Sequence, residues 1–396
     1  MSLNLTPSTA AKLARLVYRI EKANYTEDDL APFKKDWEFD LGAGSSRIAG
    51  VSGTARLIKS TSGFCSVAQG RNHYNGHLLI LARGTNNAFD WATDLTIGCN
   101  RTNSGYLVHS GFNETFKSLL NLGLRSAVAP YLGMIFKVHV VGHSLGGALA
   151  TLIAEWIHAQ TGGSASVSLY TFGSPRVGLE PYSKHMESLL GTENIFRVYH
   201  QQDPVTWIPV WPFIHIPQTS YYRLGGAGST FISPSAHFME TSYERIIETQ
   251  YRNCNWQQLE DRAWTPPTQR AIEAWLRSDG VVSFCANTLG LLTAAIAWVF
   301  EKVCKALSIA IQLCLSGAIT SLDLLAQLLE NGMKSGGEAV GTNVKQLVKK
   351  IYQFNGRPVP ADENINKVTI QLSFEEMQAK LNREVNSALM QAERRL

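Results

Sequence analysis

The sequence predicts an α/β fold with a mostly parallel central sheet, followed by a mainly α-helical C-terminal appendage. Three observations carry this. Short apolar runs at His77–Leu81, Lys137–Val141, Val167–Phe172 and Ile195–Tyr199 alternate with helical stretches near 112–130, 145–160 and 179–190, the pattern of βαβ units. These runs are apolar on both faces, as strands buried between helical layers must be. After about residue 253 the strand-like runs stop and long apolar helical patterns take over. The predicted organisation is therefore an α/β domain over residues 1–252 and a helical region over 253–396.

In chain order, Thr6 and Pro7 open a helix over residues 6–22, with Leu13, Leu16, Val17 and Ile20 on one face. Residues 47–59 and 64–71 read as a strand pair, and the alternating units follow. Trp264-Thr-Pro-Pro267 reads as a linker. The stretch 281–329 carries only Glu301, Lys302, Lys305 and Asp323 as charges and reads as a helical hairpin. A Gly-rich patch at 332–341 and a Pro-containing loop at 355–362 follow. The last helix has Phe374, Met377, Leu381 and Val385 at helical spacing.

Composition removes several classes of function. The chain has 396 residues, 45% of them hydrophobic, with 9 Trp, 13 Tyr and 16 Phe, which excludes global disorder. A net charge of +4 without a Lys/Arg-rich run argues against a nucleic-acid partner. The 6 cysteines form no CxxC pair and no HExxH occurs, so no metal cluster is expected. The N-terminus shows no secretory signal, which points to a cytoplasmic protein or one exported by a leader-independent route.

The chemistry concentrates in Lys137-Val-His-Val-Val141, Gly142-His-Ser-Leu-Gly-Gly147 and the Ala-rich helix behind it. This strand–turn–helix presents Ser144 as a nucleophile, and Gly142 and Gly146 spare a crowded turn the clash of a Cβ. The Leu145 N–H, at the helix N-terminus, is placed to donate into an oxyanion hole. A serine needs a base and an orienting acid. Asp203 follows the strand Ile195–Tyr199, at the sheet edge where ligand sites of such folds lie. Downstream of it only His215 and His237 remain. His237, on a loop free to reach the sheet edge, is favoured over His215, which sits in an apolar stretch between Pro212 and Pro217. Thr85, after the strand Leu79–Arg83, suits the second oxyanion donor. Asp94 either fixes the Thr85 hydroxyl or caps a helix.

Together, Ala82-Arg-Gly-Thr85, Asp90-Trp91 with Asp94-Leu95, Val108-His-Ser-Gly-Phe112, Gly142-His-Ser-Leu-Gly-Gly147, Thr171-Phe-Gly-Ser-Pro-Arg-Val-Gly178 and Asp203-Pro-Val resemble the class 3, fungal-type lipases over roughly residues 45–250. The resemblance implies an α/β-hydrolase fold and hydrolysis of acylglycerols or phospholipids without a metal or other cofactor. It implies Ser144 as nucleophile, Asp203 as acid, His237 as base, and Thr85 with Leu145 as oxyanion donors. It also places an amphipathic covering helix at residues 86–96, with Phe89 and Trp91. The expected partners are a lipid substrate and a membrane surface, with an inhibitory or export protein as a further one.

Residues 281–300 and 306–322 approach the length of membrane spans, but their polar and small residues favour helices buried against the hydrolase domain or another chain over membrane insertion or an interfacial anchor. A leaderless lipase with such an appendage suggests a delivered, membrane-attacking phospholipase, a bacterial effector in type. Two other functions stay open: a membrane-perturbing protein acting through the 281–329 hairpin, and an acyltransferase on the same fold.

Overall fold

The strand His77–Gly84 sends alternate side chains to opposite sides, as a pleated chain must. Leu78, Ile80 and Ala82 enter one buried apolar cluster, Leu79 and Leu81 the other. The structure is a computed structural model that describes residues 3–22, 25–39, 48–52, 60–84, 98–218, 221–225, 231–260, 267–280, 282–308 and 321–393. Its strands are β1 (Trp37–Phe39), β2 (Ile48–Ser52), β3 (Ser60–Gly70), β4 (His77–Gly84) and β5 (Cys99–Arg101). They continue as β6 (Leu107–His109), β7 (Lys137–His143), β8 (Ser166–Phe172), β9 (Ile195–His200) and β10 (Tyr222–Leu224).

The main sheet runs β1-β3-β4-β7-β8-β9-β10, with β2 also on β3. From β4 to β10 every pairing is parallel, while β1, β2 and β4 meet β3 antiparallel. β5 and β6 form a separate ribbon. The expected runs are all strands, each slightly longer than its apolar core. β1, β5, β6 and β10 have no counterpart in the sequence reading, because three residues are too few to show a period. The expected strand over 47–59 ends at Ser52, and residues 53–59 lie outside the described residues.

The Pro7–Lys22 helix covers one face of the sheet, placing Leu13, Leu16, Val17 and Ile20 against Leu79, Leu81, Val141 and Phe172. Helices Ser110–Leu119 and Leu145–Gln160 cover the other. The helix expected over 112–130 is interrupted after Leu119 and resumes only over Arg125–Val128.

The C-terminal region is helical over Gln269–Arg277, Ala286–Ala306, Ser321–Ser335, Glu338–Asn355 and Lys367–Glu393. The Gly-rich patch at 332–341 falls mostly within helices: one continues through Gly332 to Ser335 and the next begins at Glu338. A Cβ at Gly332 would stand 2.5 Å from Val303 Cγ2, so this glycine permits a close helix contact. Leu289, Leu292, Ile296, Val299 and Val303 lie in the same buried cluster as Val205, Ile208 and Val210 of the sheet-bearing part. Trp211 meets Phe300 with ring centroids 4.3 Å apart. The apolar face of the Ala286–Ala306 helix is thus internal, where burial stabilises by about 25 cal/mol per Å². Among the described residues no helix is long and apolar enough to cross a membrane, and residues 309–320 of the expected hairpin lie outside them.

Phe374, Met377, Leu381 and Val385 are all buried. Their helix, Lys367–Glu393, packs against the turns Pro234–His237 and Pro204–Trp207.

Candidate active site

Strand β7 ends at His143 and the next helix begins at Leu145, which leaves Ser144 alone to reverse the chain. Its backbone sits at φ 60° and ψ −136°, a costly conformation for a residue with a Cβ, held only where the surroundings determine it. They do so here. The Ser144 N–H donates to the Phe172 carbonyl of β8 at 2.9 Å. The helix packs so tightly that a Cβ on Gly142 would lie 2.1 Å from the Gly146 carbonyl oxygen, and one on Gly146 2.3 Å from that of Ala82. The Leu145 N–H, in the first turn, has no intrahelical acceptor and points with the positive end of the helix dipole.

The other two residues arrive from loops beyond the same sheet edge. Asp203 follows β9, and its side chain caps the Pro204–Trp207 turn by accepting from the Val205 N–H at 2.8 Å. His237 closes the Pro234–His237 turn. Its Nδ1–H donates to Asp203 Oδ2 at 2.8 Å, and its Nε2 faces Ser144 Oγ at 2.9 Å. Asp203 is 0%, His237 1% and Ser144 5% exposed. Because a carboxylate only accepts, the Asp203 bond fixes the proton on Nδ1. The Nε2 lone pair then faces the serine hydroxyl, the arrangement a general base requires.

Three further residues complete the site, and motif reading singled out none of them. Tyr243 donates to Asp203 Oδ2 at 2.6 Å and accepts from the His200 N–H at 2.9 Å. Burial, reinforced by the neighbouring carboxylate, raises its pKa well above the usual phenol value, so it stays a donor. His143 Nε2–H donates to the His237 carbonyl at 2.9 Å, and its Nδ1 accepts from the Tyr18 hydroxyl at 2.6 Å. Burial first, then His237, pushes the His143 pKa well down and keeps that ring neutral. Tyr18 is brought in by the Pro7–Lys22 helix, so a segment far from the Ser144 turn in sequence helps hold the site. His143 lay inside the quoted Gly142–Gly147 motif, but its role depends on partners far away in sequence.

The remaining sequence candidates are placed differently. Thr85, Asp94 and the covering segment 86–96 lie outside the described residues, and β4 is described to Gly84. His215 is not in the series. It lines a separate cavity with Arg176 and Arg197, and burial, then those two cations, push its pKa well down. Among the described residues no cluster of His, Cys, Asp or Glu could hold a metal ion.

A strained serine between a parallel strand and a helix, bonded in series to a histidine and an aspartate in the chain order Ser, Asp, His, defines an α/β-hydrolase. The family model described as Lipase (class 3) matches residues 79–213, so over that stretch the chain is similar to the class 3 lipases. It is 33% identical over 153 residues to secreted mono- and diacylglycerol lipase 1 of Fusarium solani, covering 38% of this chain and 44% of that protein. It is 30% identical over 152 residues to the chloroplastic phospholipase A(1) DAD1 of Arabidopsis thaliana, covering 33% of each. The chain therefore spans about half the length, or less, of these relatives. Among solved structures it is similar to the mono- and diacylglycerol lipase of Aspergillus oryzae, at TM-score 0.42 and 21% identity, covering 58% of this chain and 82% of that one.

Proposed function

We propose that this protein hydrolyses carboxylic esters of lipids through an acyl-enzyme on Ser144. The observation that carries the reading is the series Ser144 Oγ–His237–Asp203, with both contacts below 3 Å and all three residues buried. His237 Nε2 takes the hydroxyl proton as Oγ attacks the ester carbonyl, and the imidazolium formed is stabilised by Asp203. The developing oxyanion accepts from the Leu145 N–H, with Thr85 as the second donor. The imidazolium then protonates the leaving alcohol. A water activated by the same nitrogen releases the fatty acid.

Acylglycerols and phospholipids are the substrate classes, by similarity to the diacylglycerol lipase and phospholipase relatives. A membrane-perturbing role for 281–329 draws less support, because the apolar face of its first helix is spent inside the protein. Incubation with a panel of glycerides and phospholipids, with identification of every product, tests the reading. Free fatty acid released by wild type and not by Ser144→Ala is the expected result. Acyl chains appearing on an added alcohol instead of water would make the protein a transferase.

A further inference from the structure

A cavity of about 240 Å³ is lined in part by Gln201, Thr206 and Trp207, and none of Ser144, Asp203 or His237 lines it. The loop with Trp207 and Trp211 and the Ala286–Ala306 helix both contribute to its wall. Two arginines also line it, Arg176 at 4% and Arg197 at 5% exposure. Buried arginines are normally paired with carboxylates. These are not: among the described residues no carboxylate acts on either, and the Arg197 charge acts against that of Arg176. Arg197 lies over the Tyr221 ring at 4.5 Å, and among the described residues its Nε has no acceptor. Arg176 Nη1 reaches one carbonyl, of Pro209, at 3.5 Å. Burial pushes Arg176 down to about 9 and Arg197 to about 10, yet both remain cations at neutral pH.

Uncompensated buried charge costs several kcal/mol, and a protein that keeps two such groups beside a cavity has room for the missing anion. The rest of the cavity shows what the anion is attached to. The helical wall presents Ala286, Gly290, Ala294 and Ala297, recurring on one face, with Asn287 and Thr293 beside them. The small residues leave room for an alkyl chain and offer it hydrocarbon contact. The space is far larger than a lone oxyanion would fill.

We propose that this cavity binds a single-chain anionic amphiphile, its carboxylate or phosphate oxygens accepting from Arg176 and Arg197 and its alkyl chain lying along Ala286, Gly290, Ala294 and Ala297. The site is separate from the catalytic series and would bind such a ligand whether or not Ser144 hydrolyses esters.

Calorimetric titration of the full-length chain with decanoate, decyl phosphate and decanol tests it. One anion binds per chain, at least tenfold tighter than decanol. The tighter of the two anions tells carboxylate from phosphate. Arg197→Met removes the preference for the anion, whereas Ala294→Phe, which fills the chain channel without touching the charges, weakens anion and alcohol alike by at least tenfold. Circular dichroism checks that each variant is folded, and either variant alone suffices. Decanol binding as tightly as both anions overturns the proposal. So does undiminished anion affinity in a folded Arg197→Met or Ala294→Phe chain, or no binding of any probe.

Discussion

Asp203 and Arg197 stand close together on the same strand and following loop, both buried and charged, yet their surroundings are opposite. Asp203 receives the Val205 N–H, the Tyr243 hydroxyl and His237 Nδ1–H, so both carboxylate oxygens are bonded. Arg197 has aromatic rings around it and no acceptor for Nε. The first charge is an internal component, finished when the chain folds. The second is a standing cost that only something from outside can offset. Burial alone therefore says little about a polar group; the completeness of its partners separates an orienting device from a docking point.

The largest test breaks the finished side at its end. Ser144→Ala removes the group to which the whole series points, and turnover should fall on the order of 10⁶-fold. A fluorophosphonate probe should label wild type only; a variant keeping a tenth of the activity would strip Ser144 of its role. His237→Ala should match this loss, while His215→Ala, in the other cavity, should leave ester turnover within a few fold. Next is Asp203→Asn, which keeps the shape but frees the tautomer of His237, costing on the order of 10⁴-fold in kcat.

The unfinished side should respond with the opposite sign. Without ligand, Arg197→Met exchanges a lone buried charge for an apolar chain of similar length and should stabilise the fold by about 1–4 kcal/mol. A fall in Tm on that substitution would mean that Arg197 has a structural partner. Tyr243→Phe then sharpens the comparison from within the finished side. Removing one donor from a carboxylate that keeps two should lower kcat by about tenfold, the weight of a charged hydrogen bond; an unchanged kcat would show that the Tyr243 bond does not bear on the base.

A third kind of group is read through stability rather than turnover. His109 is buried with neither ring nitrogen bonded, and burial pushes its pKa down to about 4. Its neutral form is the folded one. Between the unfolded value near 6.5 and 4, the unfolded chain binds a proton that the folded chain refuses. This residue's contribution to stability is therefore full above 6.5 and declines by about 1.4 kcal/mol per pH unit as pH falls through that window. His109→Gln should flatten the profile of Tm against pH; an unchanged slope would assign it to other buried histidines.

What could be read from the sequence was whatever is local. The turn at Ser144 is written in consecutive residues, since strand, glycines and helix are neighbours, and its backbone follows. Asp203 and His237 could be ordered along the chain because the sheet fixes which loops share an edge. Tyr243, His143 and Tyr18 could not, because each acts through a partner many residues away and none belongs to a repeating pattern. The role of Gly332 was closed to sequence reading for the same reason: nothing local says that a glycine makes room for Val303 of another helix. The two arginines passed unnoticed as well, since nothing in a sequence says that a cation will be buried without an anion.

The helix Lys367–Glu393 leans on the very turns that carry Asp203 and His237. During synthesis Ser144, Asp203 and His237 all leave the ribosome long before that helix exists. The turns that carry the acid and the base gain this packing only once residues 367–393 have been made and folded. A chain cut short before residue 367 holds every reactive group without that support.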